Sequence, residues 1–212
     1  AFISVSLGAV QISLKDTFNI LISNISGNVN ISNLSGSIIA IVWNMRVPRV
    51  IMGIIVGAGL AICGSVMQTT VNNPISEPYI LGISAGATFG ATFFIILGLK
   101  SLTGIGAFFG SVISTVVVLF IASIGKKFTT TSLILSGAVV NALFSAFSNF
   151  IISIGANSDS MMTIKLWTMG SLASASWSDI ALPMFIIFGS FIFFLFQHRI
   201  LNTMLMGDDV AI

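Results

Sequence analysis

Eighteen residues, Val50 to Met67, run without a charge, and both of their ends are marked. Upstream stands Arg46-Val47-Pro48-Arg49. Downstream comes QTTVNNPISEP, Gln68 to Pro78, and a second apolar run starts at once. At about 1.5 Å rise per residue, such a run makes one crossing of a ~30 Å hydrocarbon layer. The pair of runs predicts a helical hairpin through a membrane. No other stretch limits the fold so strongly, because backbone groups in hydrocarbon must be satisfied within their own segment and a helix does this.

Composition agrees. Hydrophobic residues make up 56% of the 212 and charged residues 7%, against about 25% charged in a typical soluble domain. So few charges cannot cover a water-facing surface. A net charge of +2 leaves no nucleic-acid footprint. The single cysteine, Cys63, cannot form an intramolecular disulfide, and within the first run it reads as a small buried apolar residue. The opening AFISVSLGAV lacks the basic start of a signal peptide, and the closing GDDVAI has no helix terminator. These ends predict a fragment of a longer polytopic protein.

Charge-free windows follow at 50–67, 79–99, 104–125, 128–155 and 180–197, each long enough to cross. Residues 1–10 read as the last half of another span. Residues 11–45, rich in Ser and Asn, read as a surface loop with short helical pieces. The N-x-S sequons there, at Asn24, Asn30 and Asn33, are expected by chance in such a composition. Residues 161–178, with Lys165 inside and Trp167 and Trp177 toward the end, predict an interfacial or re-entrant helix. The reading is therefore an all-α transmembrane bundle, a single domain over 1–212.

Charge does not orient it. Alternating the connections puts Lys15, Arg46, Arg49, Lys100 and Lys165 on one face and Lys126, Lys127 and Arg199 on the other. Lys15 and Lys165 lie in longer segments, where the positive-inside rule is weak, and without them the two faces tie.

Several features bear on mechanism. Small residues recur every fourth position: Gly53, Gly57, Ala61 and Ser65, then Gly82, Gly86 and Gly90, then Gly106, Gly110 and Ser114. This spacing lets helix backbones approach closely in lipid. In the turn, Pro74 and Pro78 bar a continuous helix, Asn72-Asn73-Pro74 is strong turn chemistry, Pro78 suits a first helical turn, and Glu77 suits its positive end. The 128–155 window carries Asn141, Ser145, Ser148, Asn149 and Ser153 at helical spacing. These polar groups serve either a hydrated pathway or hydrogen bonds between helices, and both readings stay open. None of the windows contains an Asp, Glu, Lys, Arg or His, which counts against a proton relay or ion-coupled carrier. Arg46 and Arg49 are either snorkelling cations at a helix end or a pair awaiting carboxylates on a partner. The sole histidine, His198, has no metal-ligand neighbours at suitable spacing, and there is no phosphate loop or catalytic constellation.

The residues RVPR, Gln68 and NNPISEPYILGISAGA together resemble the signature of FecCD-type permeases, the membrane subunits of bacterial ABC importers for iron–siderophore complexes, haem and cobalamin. The family pattern is R-x-P-R, then Q, then N-P-L-A-[ED]-P-x-x-L-G-x-x-x-G-A, and this chain departs mildly at Ile75 and Ser76. LILSGAVVNALFSA at 133–146, Trp167 with Met169 to Leu172, and LNTMLMGDDVA at 201–211 extend the resemblance over nearly the whole chain.

The resemblance implies a ten-helix permease working as a homo- or heterodimer in the bacterial plasma membrane. Two cytosolic ATPases drive it and an extracytoplasmic binding protein delivers cargo, with iron–siderophore ranked first. It implies no cofactor and no enzymatic step in this subunit. It places Arg46 and Arg49 on the external face against acidic residues of the binding protein, and 126–127 and 199–212 in the cytosol. Gly207, Asp208 and Asp209 would then lie near the ATPase, just before the coupling helix. The absence of intramembrane charge counts against a secondary carrier or channel, and a non-transporting scaffold leaves the NPISEP block and the paired arginines without explanation.

Overall fold

A computed structural model describes residues 2–8, 10–26, 34–124 and 129–205. The sequons at Asn30 and Asn33, the pair Lys126 and Lys127, and Gly207, Asp208 and Asp209 lie outside them. The described residues are helical, without strands, and divide into two compact units.

The first unit holds residues up to Ile62 and Ser171–His198. It opens with α1 (Phe2–Ser6) and α2 (Leu14–Ser26). Ser13 starts α2: its Oγ accepts from the Asp16 amide at 3.1 Å and donates to Asp16 Oδ2 at 2.7 Å. Next come α3 (Gly36–Ala40), a wide π turn at Ile41–Arg46, and α4 (Val47–Val71). These three join into one helical run, Gly36–Val71, of 36 residues. The crossing expected to open at residue 50 is thus the later part of a helix that begins well inside the stretch expected to be loop. Pro48 does not stop it. A proline ring in a helix crowds the carbonyl four residues back, here that of Asn44, and the π turn Ile41–Arg46 widens the helix at that point. Val5, Ile12, Ile20, Val42 and Val47 are buried together as this unit's core.

The unit's last helix is α9 (Trp177–Phe196). Ser176 caps it: its Oγ–H donates to Asp179 Oδ2 at 2.6 Å and its amide to the same oxygen at 3.0 Å, while its carbonyl accepts from the Asp179 amide at 3.1 Å. The helix buries Ile180 against Met52 and Ile55, and leaves Leu182, Phe185, Phe188 and Phe196 exposed. Such a face suits lipid. Trp177 Nε1 donates to the Trp43 carbonyl at 3.0 Å, and the two rings lie 5.1 Å apart.

The second unit holds Cys63–Gly170 and the chain from Arg199. After α4 ends at Val71, a 3-10 turn spans Pro78–Leu81, followed by α5 (Ile83–Ile96), a 3-10 turn at Lys100–Leu102, and α6 (Thr103–Ser123). Then come α7 (Thr130–Gly155), α8 (Ser158–Met169) and α10 (His198–Leu205). α5, α6 and α7 pack on one another, with α8 against α5. Met67, Val71, Ala85, Val118, Ala122, Leu133, Val140 and Phe144 form the core.

Among the described residues, four stretches are long and apolar enough to cross a membrane: Gly36–Val71, Lys100–Ser123, Thr130–Gly155 and Trp177–Phe196. The 79–99 window differs from expectation. It is broken at Gly82, whose φ of 66° is left-handed, and its α-helix has 14 residues. That is about 21 Å, short of a full hydrocarbon layer. The expected interfacial helix at 161–178 is α8, which starts earlier and ends earlier. An Asn157–Ser160 capping box opens it, and Gly170, at φ 71°, closes it. Residues 1–10 contain a helix of five residues. Cys63 is exposed, not buried: α4 is apolar all round, so the sequence did not say which side it would face.

Candidate functional site

The turn after α4 is built from its asparagines. Asn72 takes φ 48°, a left-handed conformation that Asn tolerates better than most residues. The Asn73 amide donates back to the Gln68 carbonyl at 3.1 Å, and Asn73 Oδ1 accepts from the Ile75 amide at 3.1 Å. Pro74 follows, unable to continue the helix. Glu77 is extended and exposed at the head of the 3-10 turn, and Pro78 fills the first turn, where a missing N–H costs nothing.

Gly82 ends that turn against α6. Ser114 Oγ donates to the Gly82 carbonyl at 2.7 Å. One and two turns along, Gly86 and Gly90 of α5 lie on Gly110 and Gly106 of α6. A Cβ built on any of these four would overlap backbone of the other helix. The second and third small-residue stripes thus form one seam, of the close-backbone kind that drives helix association in lipid. The first stripe differs. Among the described residues nothing lies within 4 Å of a Cβ built on Gly57, and Ala61 and Ser65 are exposed. Sequence reading missed Gly137 of α7, where a Cβ would overlap the Ile80 carbonyl.

α7 carries the polar residues on two faces. Val140, Phe144 and Ser148 are buried, and Ser148 Oγ donates to the Phe144 carbonyl at 2.9 Å within its own helix. Asn141, Ser145 and Asn149, at i, i+4 and i+8, are exposed, as is Ser153. Ser148 therefore does not share their face. The open surface of α7 is itself divided. Val139, Leu143, Phe150 and Ile154 form an exposed apolar strip, while Asn141, Ser145 and Asn149, with Ala138 and Ala142, form a small and polar one. A cleft of about 700 Å³ is lined mainly by α8, through Met161, Met162, Ile164, Lys165 and Met169 among others, with Ile152 from α7. No group of residues able to hold a metal ion occurs among the described residues.

Arg46 and Arg49 part company. Arg46 is buried and its guanidinium is spent on backbone: Nη1 donates to the carbonyls of Val5 at 3.0 Å and Ser6 at 2.7 Å, and Nη2 to that of Val10. The expected pair of open cations is not what the structure holds at this residue. Arg49 is half-buried, and its Nε has no partner among the described residues.

Apolar helices packed along a glycine seam, with one polar open strip, define a polytopic α-helical membrane protein. The chain belongs to the FecCD transport family, which matches residues 1–212. It is 29% identical over 216 residues to the hemin transport system permease protein HmuU of Yersinia pestis, covering 98% of this chain and 60% of that one. It is 35% identical over 176 residues to the cobalamin import system permease protein BtuC of Halobacterium salinarum, covering 81% and 46%. It is 29% identical over 222 residues to the iron(3+)-hydroxamate import system permease protein FhuG of Bacillus subtilis, covering 99% and 62%. The chain thus spans between 46% and 62% of these relatives' lengths. A solved inward-facing structure, assigned to the metal-chelate type of ABC transporter, shares the fold at a TM-score of 0.69 and 24% identity, over 93% of this chain and 65% of that one.

Proposed function

We propose that this chain is part of a permease subunit of an ATP-driven importer, and that α7 lines the route of an iron(III)–siderophore or related metal chelate such as haem or cobalamin. Membership of the FecCD family supports the class, and the relatives' names support the kind of cargo. The observation that carries the pathway is the open strip of Asn141, Ser145 and Asn149. Uncharged amides and hydroxyls keep a route wet without holding a large chelate tightly. Ser148, turned into the bundle, has no part in it.

The same reading gives the chain its partners: a second permease subunit, two cytosolic ATPases that hydrolyse ATP elsewhere, an extracytoplasmic binding protein and the lipid of the cell membrane. Arg49 is the docking cation for the binding protein, and Gly207, Asp208 and Asp209 lie near the ATPase. Asn73, Pro74, Glu77 and Pro78 hold the turn that sets α5, with Gly82 and Gly86, on its seam.

Cysteine substitution in the full-length permease, free of other reactive thiols, tests the pathway. Cysteine at Asn141, Ser145 and Asn149 should react with a water-soluble thiol reagent, and cysteine at Leu143 and Phe150 should not. Protection of all three polar positions in the assembled transporter would show that they are packed against another helix.

A further inference from the structure

We propose that the two arginines of the RVPR segment do different jobs: Arg46 is a positioning residue that locks Val5, Ser6 and Val10 against the start of α4, and Arg49 alone is left to meet a partner's carboxylate. The second half rests on the docking reading above; the first half stands on geometry alone.

The carbonyls of Val5, Ser6 and Val10 converge on one guanidinium. Val5 and Ser6 close α1, where the last carbonyls have no partner within the helix, and a cation there also suits the negative helix end. A guanidinium offers five N–H donors in a planar fork, which can satisfy several carbonyls at once, where an ammonium acts as a single point. Gly8 completes the arrangement. A Cβ at that position would stand 2.7 Å from Arg46 Nη2 and 2.9 Å from Cζ. The space a side chain would fill at residue 8 is taken by the arginine, so a side chain there has to displace the guanidinium from its carbonyls.

Swinging Arg46 outward to meet a partner would strand these acceptors, and stranding buried polar groups is costly. Arg49 carries no such commitment. It follows Pro48, whose place in the helix fixes the backbone that presents it, and its buried Nε has no partner among the described residues. The motif thus joins a lock and a contact three residues apart. Ile12, nearly buried in the same core as Val5, reports whether the lock is closed.

The experiment uses the full-length permease with its ATPase and binding protein in lipid nanodiscs, and the variants Arg46→Gln, Gly8→Ala and Arg49→Gln. One readout is the salt dependence of binding-protein affinity, which falls when an interface charge is lost. The other is the labelling rate of Ile12→Cys. Arg49→Gln should flatten the salt dependence and leave Ile12→Cys protected. Arg46→Gln should leave the salt dependence unchanged and raise the labelling rate several-fold. Gly8→Ala, which keeps both charges, should raise it likewise and covers the case in which Arg46→Gln is not produced. Flattening by Arg46→Gln equal to that by Arg49→Gln, with Ile12→Cys still protected, would overturn the proposal. No effect of Arg49→Gln on affinity would remove the docking reading, while the labelling rates would still decide the role of Arg46.

Discussion

Ser114 Oγ donates a 2.7 Å hydrogen bond to the carbonyl of Gly82, the residue whose left-handed backbone separates the 3-10 turn from α5. The two residues are 32 positions apart, so the bond ties the entry of α5 to the middle of α6. Losing the hydroxyl in Ser114→Ala should cost about 0.6–1.7 kcal/mol, the range for hydrogen bonds between membrane helices. Gly82→Ala should cost more. It forces an L residue to φ 66° and sets a Cβ 2.6 Å from Ser114 Oγ, a strain of about 1–3 kcal/mol from the backbone alone. Denaturation of the purified full-length permease in mixed micelles checks the order; Gly82→Ala as stable as the parent protein would contradict it.

Glycines on the seam and off it should respond differently. Gly90→Leu drives a side chain into Gly106 backbone and should sharply reduce the amount of folded protein in the membrane. At Gly57 a Cβ meets nothing within 4 Å among the described residues, and Gly57→Leu should leave the α5–α6 hairpin intact. Cysteine cross-linking between α5 and α6 in each variant reads this directly. Equal loss of cross-linking in both would mean that the seam does not control hairpin packing.

The start of α7 depends on Thr129, whose hydroxyl accepts from the Ser132 amide at 3.1 Å. Thr129→Ala should cost about 1 kcal/mol, and Thr129→Ser should restore most of it. Stability of the two variants by the same denaturation method gives the comparison. A Ser variant no better than the Ala variant would assign the loss to something other than the cap.

Ser148 and Ser145 provide a matched pair on one helix. Ser148→Trp inserts bulk among Val140, Phe144 and their neighbours in the buried face and should lower abundance in the membrane. Ser145→Trp points to the open strip and should not. Immunoblots of membrane fractions separate them, and equal abundance would remove the distinction between the two faces.

Hydropathy located the long helices well. The 104–125 and 180–197 windows are occupied by α6 and α9 to within a few residues, because an unbroken run of Val, Ile, Leu and Phe has no cheaper arrangement in lipid than a helix. The NNPISEP turn was legible because Asn and Pro restrict the backbone themselves. The break inside 79–99 was not, since a single glycine does not announce a left-handed φ. The start of α4 was also hidden: proline usually marks a boundary, and the π turn that accommodates Pro48 leaves no mark in composition. The role of Arg46 was the least legible, because its partners are backbone carbonyls. They are present at every residue and identify themselves only when the chain has folded. The two faces of α7 were blurred for a related reason. Ser148 and Asn149 are adjacent in sequence, and a one-residue step turns a side chain about 100° around the helix.

The central claim, that the open polar strip of α7 lines a cargo route, is tested most directly by ATP-dependent uptake of an iron(III)–siderophore into proteoliposomes. These would carry the full-length permease with Ser145→Trp, its ATPase and its binding protein. The account predicts uptake reduced about tenfold or more, with permease level and binding-protein affinity unchanged, because a bulky ring fills the route without entering a packed face. Uptake at the parent rate from correctly assembled Ser145→Trp transporter would contradict it.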